Sequence, residues 1–477
     1  MSALTGEDLP HLVSAIPGPR SVAHMDVLAA SECPAITARR ARRKRETGVG
    51  QDPIVWAEAL GANVADVDGN VYVDLTAAFA VSGLGHRHPG VVAAAHAQLD
   101  RLIHAMGDVY PSDAKVGFTQ ALSACAPGEL KRSILGMSGA DAVDAALKTA
   151  AIKTGKPGVL AFWGGYHGLS TGALGATAYR DTFRQPFLGQ LNAYTRHVPY
   201  PDTYRPPMRL GVGTDAQVVC DLCLGLIDEL LSHPASGAEA IGAILIEPIQ
   251  GRGGEVEPPP GFLAGLKEIC DRRGLVLIFD EIYTGFARTG DLFACEHEGV
   301  LPDVMCVGKA MGGGFPISAA IGTPEVMDAW GDSRGEAVHT STFLGNPLGC
   351  AMARASIDTI VGEGWAARVA ARGEVVRARL ESLRAQWPDR IGLVRGRGLM
   401  LGLDLVKAPE TREPDGALAL QLMGFCRARG YLVLPSGVSG NILALSPPFV
   451  ITDAQLDGFF ATLAEGLHAL CGPPSAP

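Results

Sequence analysis

The residues with the clearest chemical potential lie in polar segments that directly follow apolar runs of the sequence. Lys309 follows the run Val304–Val307 and precedes three glycines at 312–314. A lysine between a buried strand and a glycine-rich turn is poorly hydrated, which lowers its pKa and makes it a nucleophile able to form a Schiff base. Asp280 follows the run Leu275–Phe279, and a carboxylate in that place is able to hold a cationic ring nitrogen.

Three further segments complete the set. Ser138–Ala140 lies between an apolar run and a helical pattern, where free N–H groups and the positive end of the helix dipole bind an anion. Tyr166 and His167 follow two glycines that let the chain turn at a sheet edge, and Glu247 ends another apolar run. An anion site, a stacking aromatic, an acid for a ring nitrogen and an amine nucleophile are together what pyridoxal phosphate requires.

Each of these residues also has an ordinary structural interpretation. Ser138 is a typical helix N-cap, Tyr166 a typical core aromatic, and Asp280 a typical cap for the element after its strand. Lys309 could extend its ammonium group to solvent, but that would not explain the three glycines beside it. The functional interpretation rests on the presence of all five segments in one chain.

These segments require a scaffold that brings the ends of several strands together. Apolar strand candidates alternate with helical stretches from about residue 90 to 340, which predicts an α/β fold with a mainly parallel sheet covered on both faces. In such sheets, ligands bind at the carboxyl ends of the strands. The strand candidates are Ser133–Met137, Gly158–Phe162, Ala243–Ile246, Leu275–Phe279 and Val304–Val307.

The remaining sequence predicts a smaller α+β domain. Residues 54–75 have a hairpin pattern around Asp68-Gly69-Asn70, and a long helix at 347–386 is followed by short strands and a closing helix. We therefore expect an N-terminal segment at 1–85 that joins the small domain, a large cofactor-binding domain at 86–345, and a C-terminal small α+β domain at 346–477.

Composition and charge exclude several other classes of protein. Of 477 residues, 47% are hydrophobic and 19% charged, which excludes wholesale disorder, and a net charge of −10 argues against a nucleic-acid binder. No apolar run is long enough for a membrane span and the N-terminus lacks the order of a signal peptide, so we expect a cytoplasmic protein. Cys220 and Cys223 lie in a helical pattern and are interpreted as buried thiols, so no metal site is expected.

Taken in order, the motifs resemble those of the class III aminotransferases, a family of fold type I enzymes that depend on pyridoxal phosphate. The resemblance runs from about residue 50 to the end. It implies a large domain with a mainly parallel sheet and a smaller α+β domain built from both termini. The motifs are GLGHRHP at 83–89, SGADAVDAALK at 138–148, YHG at 166–168, EPIQG at 247–251, DEIYTGFARTG at 280–290, GKAMGGGFP at 308–316 and HTSTFLGNP at 339–347.

The resemblance also assigns roles to single residues. It implies that Lys309 forms the Schiff base and moves the proton during catalysis, and that Asp280 keeps the pyridinium nitrogen protonated. Tyr166 matches the aromatic that stacks on the ring. Thr342 matches a residue that reaches the phosphate of the neighbouring subunit, which implies a homodimer with shared active sites. The cofactor-binding residues implied are Ser138, Gly139, Ala140, Tyr166, His167, Glu247, Asp280, Ile282, Tyr283, Lys309 and Thr342.

Three departures from the family pattern bear on the substrate. Relatives that act on 4-aminobutyrate or ornithine carry an arginine where this chain has Ala444, and a glutamate that pairs with it where this chain has Arg252. The 4-aminobutyrate enzymes also have an arginine where this chain has Leu169. We therefore do not expect a standard 4-aminobutyrate or ornithine enzyme.

Arg252 is the candidate that replaces the missing arginine. A guanidinium binds a carboxylate as a bidentate pair, so Arg252 could recognise an acidic group of the substrate. Alternatively, it points to solvent or pairs with Glu255 or Glu257. The other expected substrate residues, Phe79, Leu169 and Ala444 together with Tyr166, would leave an apolar site that suits an amine or a substrate with an apolar body.

The function that we expect is transfer of an amino group from an amine or amino acid to a 2-oxo acid by a ping-pong mechanism. An amino acid racemase or epimerase of the same family is an alternative, although it needs a second proton donor opposite Lys309, and relatives of that kind have an acid where Arg252 stands. An aminomutase is a further alternative that no residue selects. A scaffold without activity disagrees with the intact lysine, acid and phosphate turn.

Overall fold

The computed structural model describes residues 4–37, 53–332 and 335–474, which form two compact units. Unit 1 is Met1–His88, Glu374–Val394 and Leu401–Pro477, and unit 2 is Pro89–Gly373 and Arg395–Met400. No helix in the described ranges is both long and apolar enough to cross a membrane.

Strands and helices alternate through unit 2, as the sequence predicts. The strands, in chain order, are β1 Trp56–Leu60, β2 Asn63–Asp66, β3 Val71–Asp74, β4 Arg132–Gly136, β5 Gly158–Phe162, β6 Arg196–Val198, β7 Ile241–Ile246, β8 Val276–Asp280, β9 Val304–Val307, β10 Ser318–Gly322, β11 Ile391–Arg397, β12 Met400–Leu405, β13 Tyr431–Leu432, β14 Leu434–Ser436 and β15 Ile442–Leu445. The α-helices are Pro19–Ser31, Pro34–Thr37, Pro89–Leu99, Asp113–Cys125, Gly139–Thr154, Thr171–Ala176, Asp181–Arg184, Ala216–Ser232, Phe262–Arg273, Pro324–Met327, Pro347–Gly362, Trp365–Gln386, Gly416–Arg427 and Asp453–Cys471.

Unit 2 is built on one sheet with the strand order β4-β10-β9-β8-β7-β5-β6. The strands from β9 to β6 run parallel to one another, whereas β10 is antiparallel to both β9 and β4. The expected mainly parallel α/β sheet is therefore confirmed. The sequence analysis missed β10, because its small residues do not form a continuous apolar run.

The parallel strands set the positions of three candidate residues. Glu247 follows β7 directly, Asp280 is the last residue of β8 and pairs with Cys306 of β9, and Lys309 follows β9 after a single glycine. Because parallel strands end at the same edge of a sheet, these side chains belong to one edge. β4 ends at this edge as well, since β10 is antiparallel to both of its neighbours.

The helix Gly139–Thr154 begins at the same edge and packs on the sheet by a face of small residues. Its first turn is fixed by a capping box, in which Ser138 and Asp141 exchange side-chain and backbone hydrogen bonds. Small side chains let the helix lie close to the strands at the packing density of a protein interior. The buried residues of this face are Ala142, Val143, Ala145, Ala146 and Ala150.

Unit 1 combines two sheets with flanking helices. One sheet has the order β1-β2-β3-β13, and the other has the order β11-β12-β15-β14. Tyr431 of β13 pairs with Val73 of β3 in parallel, so the N-terminal and C-terminal parts of the chain share a sheet. The helices Gly416–Arg427 and Asp453–Cys471 pack against each other. The expected smaller α+β domain, built from both termini, is confirmed.

The C-terminal helical region differs from the expectation in two ways. Instead of one long helix, the chain forms two helices that are separated at Gly364, where φ is 64°. The large domain was expected to end at residue 345, whereas unit 2 continues to Gly373. The reason is that Pro347–Gly362 packs against Pro89–Leu99 and Asp113–Cys125, which are helices of unit 2.

Residues Ala77–Ala80 of unit 1 form a left-handed turn without any glycine. Their φ angles are 44°, 50°, 65° and 63°, and this conformation costs L-residues roughly 1–2 kcal/mol each. The buried carboxylate of Asp74 stabilises it by accepting hydrogen bonds from the N–H of Thr76 (2.8 Å), its hydroxyl (2.6 Å) and the N–H of Ala78 (3.1 Å). Nε2 of His86 lies 3.0 Å from the same carboxylate.

Replacement of Asp74 by alanine is expected to lower the free energy of unfolding by about 3 kcal/mol, because several buried donors lose their acceptor together. Denaturant unfolding followed by circular dichroism measures this loss. Asp26→Ala, at an exposed position of the helix Pro19–Ser31, is the control, with an expected change below about 0.5 kcal/mol. An equally small effect of Asp74→Ala would contradict the role of its carboxylate in the turn.

Candidate active site

Lys309 lies in a short turn after β9. The residue has a φ of 43° and begins a 3₁₀ turn that ends at Gly312, and its Nζ lies 4.4 Å from the centroid of the Tyr283 ring. Burial disfavours the ammonium form and lowers the pKa of Lys309 to about 8, although Asp280 and Glu247 act in the opposite direction. Near neutral pH, more of this amine is therefore neutral and nucleophilic than in an exposed lysine.

The buried pair of His167 and Asp280 lies at the same edge of the sheet. Nδ1 of His167 lies 2.7 Å from Oδ2 of Asp280, and both residues are at most 4% exposed. Burial opposes a charged imidazole, but the hydrogen bond and the charge of Asp280 outweigh it and raise the pKa of His167. The other oxygen of Asp280 accepts the N–H of Ile282 at 3.1 Å, which fixes the carboxylate.

Glu247 connects two loops of the site. Its Oε1 accepts the N–H of Tyr166 and its Oε2 accepts the N–H of Gly251, both at 2.9 Å. Burial raises the pKa of the Glu247 carboxyl, although the neighbouring His167 opposes this change. Glu247 thus holds the loop that carries Tyr166 and His167 against the loop that follows β7.

The turn between β4 and the helix Gly139–Thr154 has the geometry of an anion site. Its conformation is fixed by the hydroxyl of Ser318, which donates to the Ser138 carbonyl at 2.6 Å. The first N–H groups of a helix have no acceptor inside the helix, and the helix dipole adds positive potential there. The site requires glycine at 139, because a Cβ there would lie 2.8 Å from Cδ1 of Ile282.

Tyr283 and Ile282 pack against the residues that they were expected to accompany. Ile282 contacts Gly139 at the start of the helix, and Tyr283 packs on a small cluster that includes Ile249 and Met400. The structure therefore brings both close to groups of the proposed cofactor site, Ile282 to the anion site and Tyr283 to Lys309.

The two acids at the end of β8 have different environments. Glu281 is buried and accepts the N–H groups of Ala294 (2.9 Å) and Cys295 (2.7 Å), together with the hydroxyl of Thr284. Burial raises the pKa of the Glu281 carboxyl. Glu281 therefore fastens the chain after β8, whereas Asp280 meets His167. The sequence alone did not distinguish these two roles.

Arg252 stacks on aromatic rings instead of pairing with an acid. Its guanidinium carbon lies 4.5 Å from the centroid of Tyr166 and 5.1 Å from that of Tyr179. Of the two glutamates considered as partners, Glu257 pairs with Arg397 at 2.9 Å. Within residues 4–37, 53–332 and 335–474, Arg252 forms no ion pair.

The remaining candidate substrate residues are divided between the two units. Leu169 of unit 2 is 49% exposed and follows the loop that carries Tyr166. Phe79 of unit 1 is 67% exposed on the left-handed turn. Ala444, also of unit 1, lies in β15 between β12 and β14.

Thr342 lies on an exposed segment of unit 2. That segment is held to residues near position 105, since the hydroxyl of Thr340 donates to Asp108 at 2.9 Å and the rings of Phe343 and His104 lie 5.4 Å apart. In the part of the chain that the structure describes, no cluster of His, Cys, Asp and Glu side chains is arranged to hold a metal ion.

The sequence analysis missed an aromatic cluster beside Tyr166. Tyr179 meets Tyr166 edge to face with centroids 6.3 Å apart, and Phe183 lies 6.3 Å from Tyr166 and 6.2 Å from Tyr179. Their spacing of four residues is typical of one helical turn and was the available signal.

These residues fit pyridoxal phosphate. In the described residues, Nε2 of His167 is buried without a hydrogen-bond partner, which marks a polar group aimed into the site. Asp280 and His167 suit a cationic ring nitrogen, the N–H groups of Gly139 and Ala140 suit a phosphate, and Lys309 supplies the amine.

Comparisons with known proteins agree with this fit. The family model "Aminotransferase class-III" matches residues 46–467. A 4-aminobutyrate aminotransferase from Mycobacterium tuberculosis is 38% identical over 471 residues, which cover 96% of this chain and 97% of that protein. An acetylornithine aminotransferase from Methanopyrus kandleri is 36% identical over 419 residues, which cover 87% of this chain and 95% of that protein.

A solved structure shows the same fold. The PLP-bound amine transaminase from an uncultivated Pseudomonas species is 30% identical and has a TM-score of 0.81. The similarity covers 88% of this chain and 96% of that chain.

In cofactor-free protein, Lys309 is expected to react with trinitrobenzenesulfonate with a pH midpoint of about 8, because only the neutral amine reacts. Below that pH the amine is protonated and the reaction slows. Peptide mass mapping identifies the modified lysine, and the other lysines in the digest serve as controls. A midpoint near 10.4, the ordinary value for lysine, would contradict the desolvation of Lys309.

Proposed function

Because the chain belongs to the class III aminotransferase family, we propose that it moves an amino group from an amine or amino acid to a 2-oxo acid in two half-reactions at one site. The observation that carries this proposal is the convergence of Lys309 and the buried Asp280–His167 pair at one edge of the sheet. In a ping-pong mechanism, donor and acceptor use this site in turn.

Pyridoxal phosphate is the cofactor of this enzyme, and when bound it supplies an electron sink for the bond that breaks at the substrate carbon. We assign Asp280, oriented by His167, to hold the ring nitrogen in its protonated state. The N–H groups of Gly139–Ala140 bind the phosphate, while Tyr166 and Ile282 enclose the ring.

Lys309 has the properties of the group that moves the proton. Its Nζ takes a proton from the substrate carbon and delivers it at a neighbouring position. A pKa near 8 keeps both the neutral and the protonated form accessible around neutral pH. The ring of Tyr283, 4.4 Å away, limits the hydration of the amine without supplying a competing base.

The substrate part of the proposal is that 4-aminobutyrate is not the dedicated donor. Ala444 offers no charge where the resemblance places a carboxylate-binding arginine, and Leu169 offers none beside Tyr166. Arg252 occupies the position of the expected glutamate. The Mycobacterium tuberculosis relative is named for 4-aminobutyrate, so these three positions are where a difference from it is to be sought.

Racemisation remains the second candidate function. It needs an acid or base on the face of the substrate opposite Lys309. Arg252, which stacks on Tyr166, is permanently charged and cannot exchange a proton in the ordinary pH range. This supports amino transfer over racemisation.

A homodimer with shared active sites is supported by exposed apolar side chains in unit 2. Exposed apolar patches of this kind mark protein–protein interfaces. They lie on the segment around residue 105 and on the segment that carries Thr342. The most exposed are Ile103 (59%), Met106 (54%), Val109 (57%), Tyr110 (70%) and Phe343 (51%).

The test of function is to follow an isotope-labelled amino nitrogen from a panel of donors to a 2-oxo acid by mass spectrometry. We expect transfer of the label, with bleaching of the cofactor's visible band by donor alone and its return on addition of the 2-oxo acid. Lys309→Ala should lower the rate by about a thousandfold or more. Loss of optical purity without an acceptor would favour the racemase, and preference for 4-aminobutyrate would contradict the substrate part.

Mixed dimers test the shared site. Lys309→Ala and Thr342→Asp subunits should each be inactive alone, the second because its carboxylate repels the phosphate. If Thr342 acts across the interface, one site of each mixed dimer has neither change, so an exchanged equal mixture regains about a quarter of the activity. If Thr342 acts within its own subunit, the mixture stays inactive.

A further inference from the structure

Two arginines and three aromatic rings of unit 2 form one stacked cluster beside the site. The guanidinium of Arg252 lies 4.5 Å from the Tyr166 centroid and 5.1 Å from the Tyr179 centroid. The guanidinium of Arg180 lies 4.9 Å from the Tyr179 centroid. Phe183 completes the cluster by contact with both tyrosines. Tyr179 is thus the ring that both arginines share.

Stacking prepares Arg252 for an anion. A guanidinium over an aromatic face is attracted by the ring and loses little side-chain freedom when it binds, and it still donates hydrogen bonds from its edge. Arg252 remains largely exposed despite its two ring contacts, so a ligand can reach it. In the described part of the chain it has no ion pair that would compete with such a ligand.

The cluster is joined directly to the reacting groups. Tyr166 precedes His167 in the chain, and its N–H is held by Glu247. The charge of Arg252 also lowers the pKa of Lys309. A cation that acts on the reactive amine, without an acid of the protein beside it, disfavours cationic ligands and favours ligands that bring their own anion.

We infer that Arg252, stacked on Tyr166 and Tyr179, binds the carboxylate next to the reacting carbon of amino acids and 2-oxo acids. This inference rests on the proposed function and names its substrate class, namely α-amino acids in preference to simple amines. It places carboxylate recognition in unit 2, since position 444 of unit 1 is an alanine. Arg180 is a positioning residue, which acts by holding Tyr179 in the stack.

The kinetic test compares two donors, 2-aminopentanoate and butan-1-amine, which share the same side chain and differ in the carboxylate. In the holoenzyme, Arg252→Gln is expected to lower the ratio of their kcat/KM values (amino acid over amine) by about tenfold or more. Arg252→Lys should recover only part of this loss, because lysine cannot form the bidentate pair. Arg180→Gln should shift the ratio in the same direction by a smaller factor of about three.

Arg368→Gln is the matched control. Its guanidinium stacks on Trp365 at 3.6 Å, the same kind of contact on a helix that carries no residue assigned to the site. It should leave the ratio unchanged. A loss in Arg252→Gln that is equal for both donors would mean a structural role only, and it would overturn the inference.

A binding measurement separates this inference from the proposed function. 3-Methylbutanoate has a carboxylate but neither an amino nor an oxo group, so it cannot react. When it neutralises Arg252 in the holoenzyme, the pH midpoint of the cofactor's visible band should shift upward, and Arg252→Gln should abolish that shift. If the shift occurs but no amino transfer is found, the inference stands and the proposed function fails. If transfer occurs without any shift, the inference fails alone.

Discussion

The buried hydrogen bond between His167 and Asp280, 2.7 Å long, is the constraint around which unit 2 is arranged. A carboxylate and an imidazole removed from water are stable only when each satisfies the other. Asp280 ends β8, whereas His167 follows β5, so the pair exists only once β5, β7 and β8 lie side by side in the sheet. The same edge carries Glu247, which holds the His167 loop in place through its contact with Tyr166.

Lys309 depends on the same arrangement. The turn after β9 keeps its amine poorly hydrated, which lowers its pKa, while Asp280 and Glu247 moderate that effect from the neighbouring strands. Negative charge at Asp280 therefore serves two purposes: it suits a protonated ring nitrogen, and it keeps Lys309 from losing its proton affinity altogether. Arg252 adds positive charge on the other side of Tyr166, where a substrate carboxylate would compensate it.

The sequence predicted the parts of the site that depend on local order. Lys309 and Asp280 stood out because each follows an apolar run, and the parallel sheet that unites them followed from the alternation of strands and helices. Contacts between distant residues were beyond it. Nothing in the local pattern separates Asp280 from Glu281, or shows that Arg252 stacks on Tyr179 instead of pairing with Glu257. The left-handed turn at Ala77–Ala80 has no glycine to announce it and depends on Asp74.

The central claim is that the Asp280–His167 pair keeps the cofactor's ring nitrogen protonated. Nitrogen NMR of holoenzyme reconstituted with ring-labelled pyridoxal phosphate measures that state directly. We predict a protonated nitrogen throughout the working pH range in the wild type and an unprotonated one in Asp280→Asn, with the label still bound. An unprotonated nitrogen in the wild type, or no change in the variant, would contradict the account.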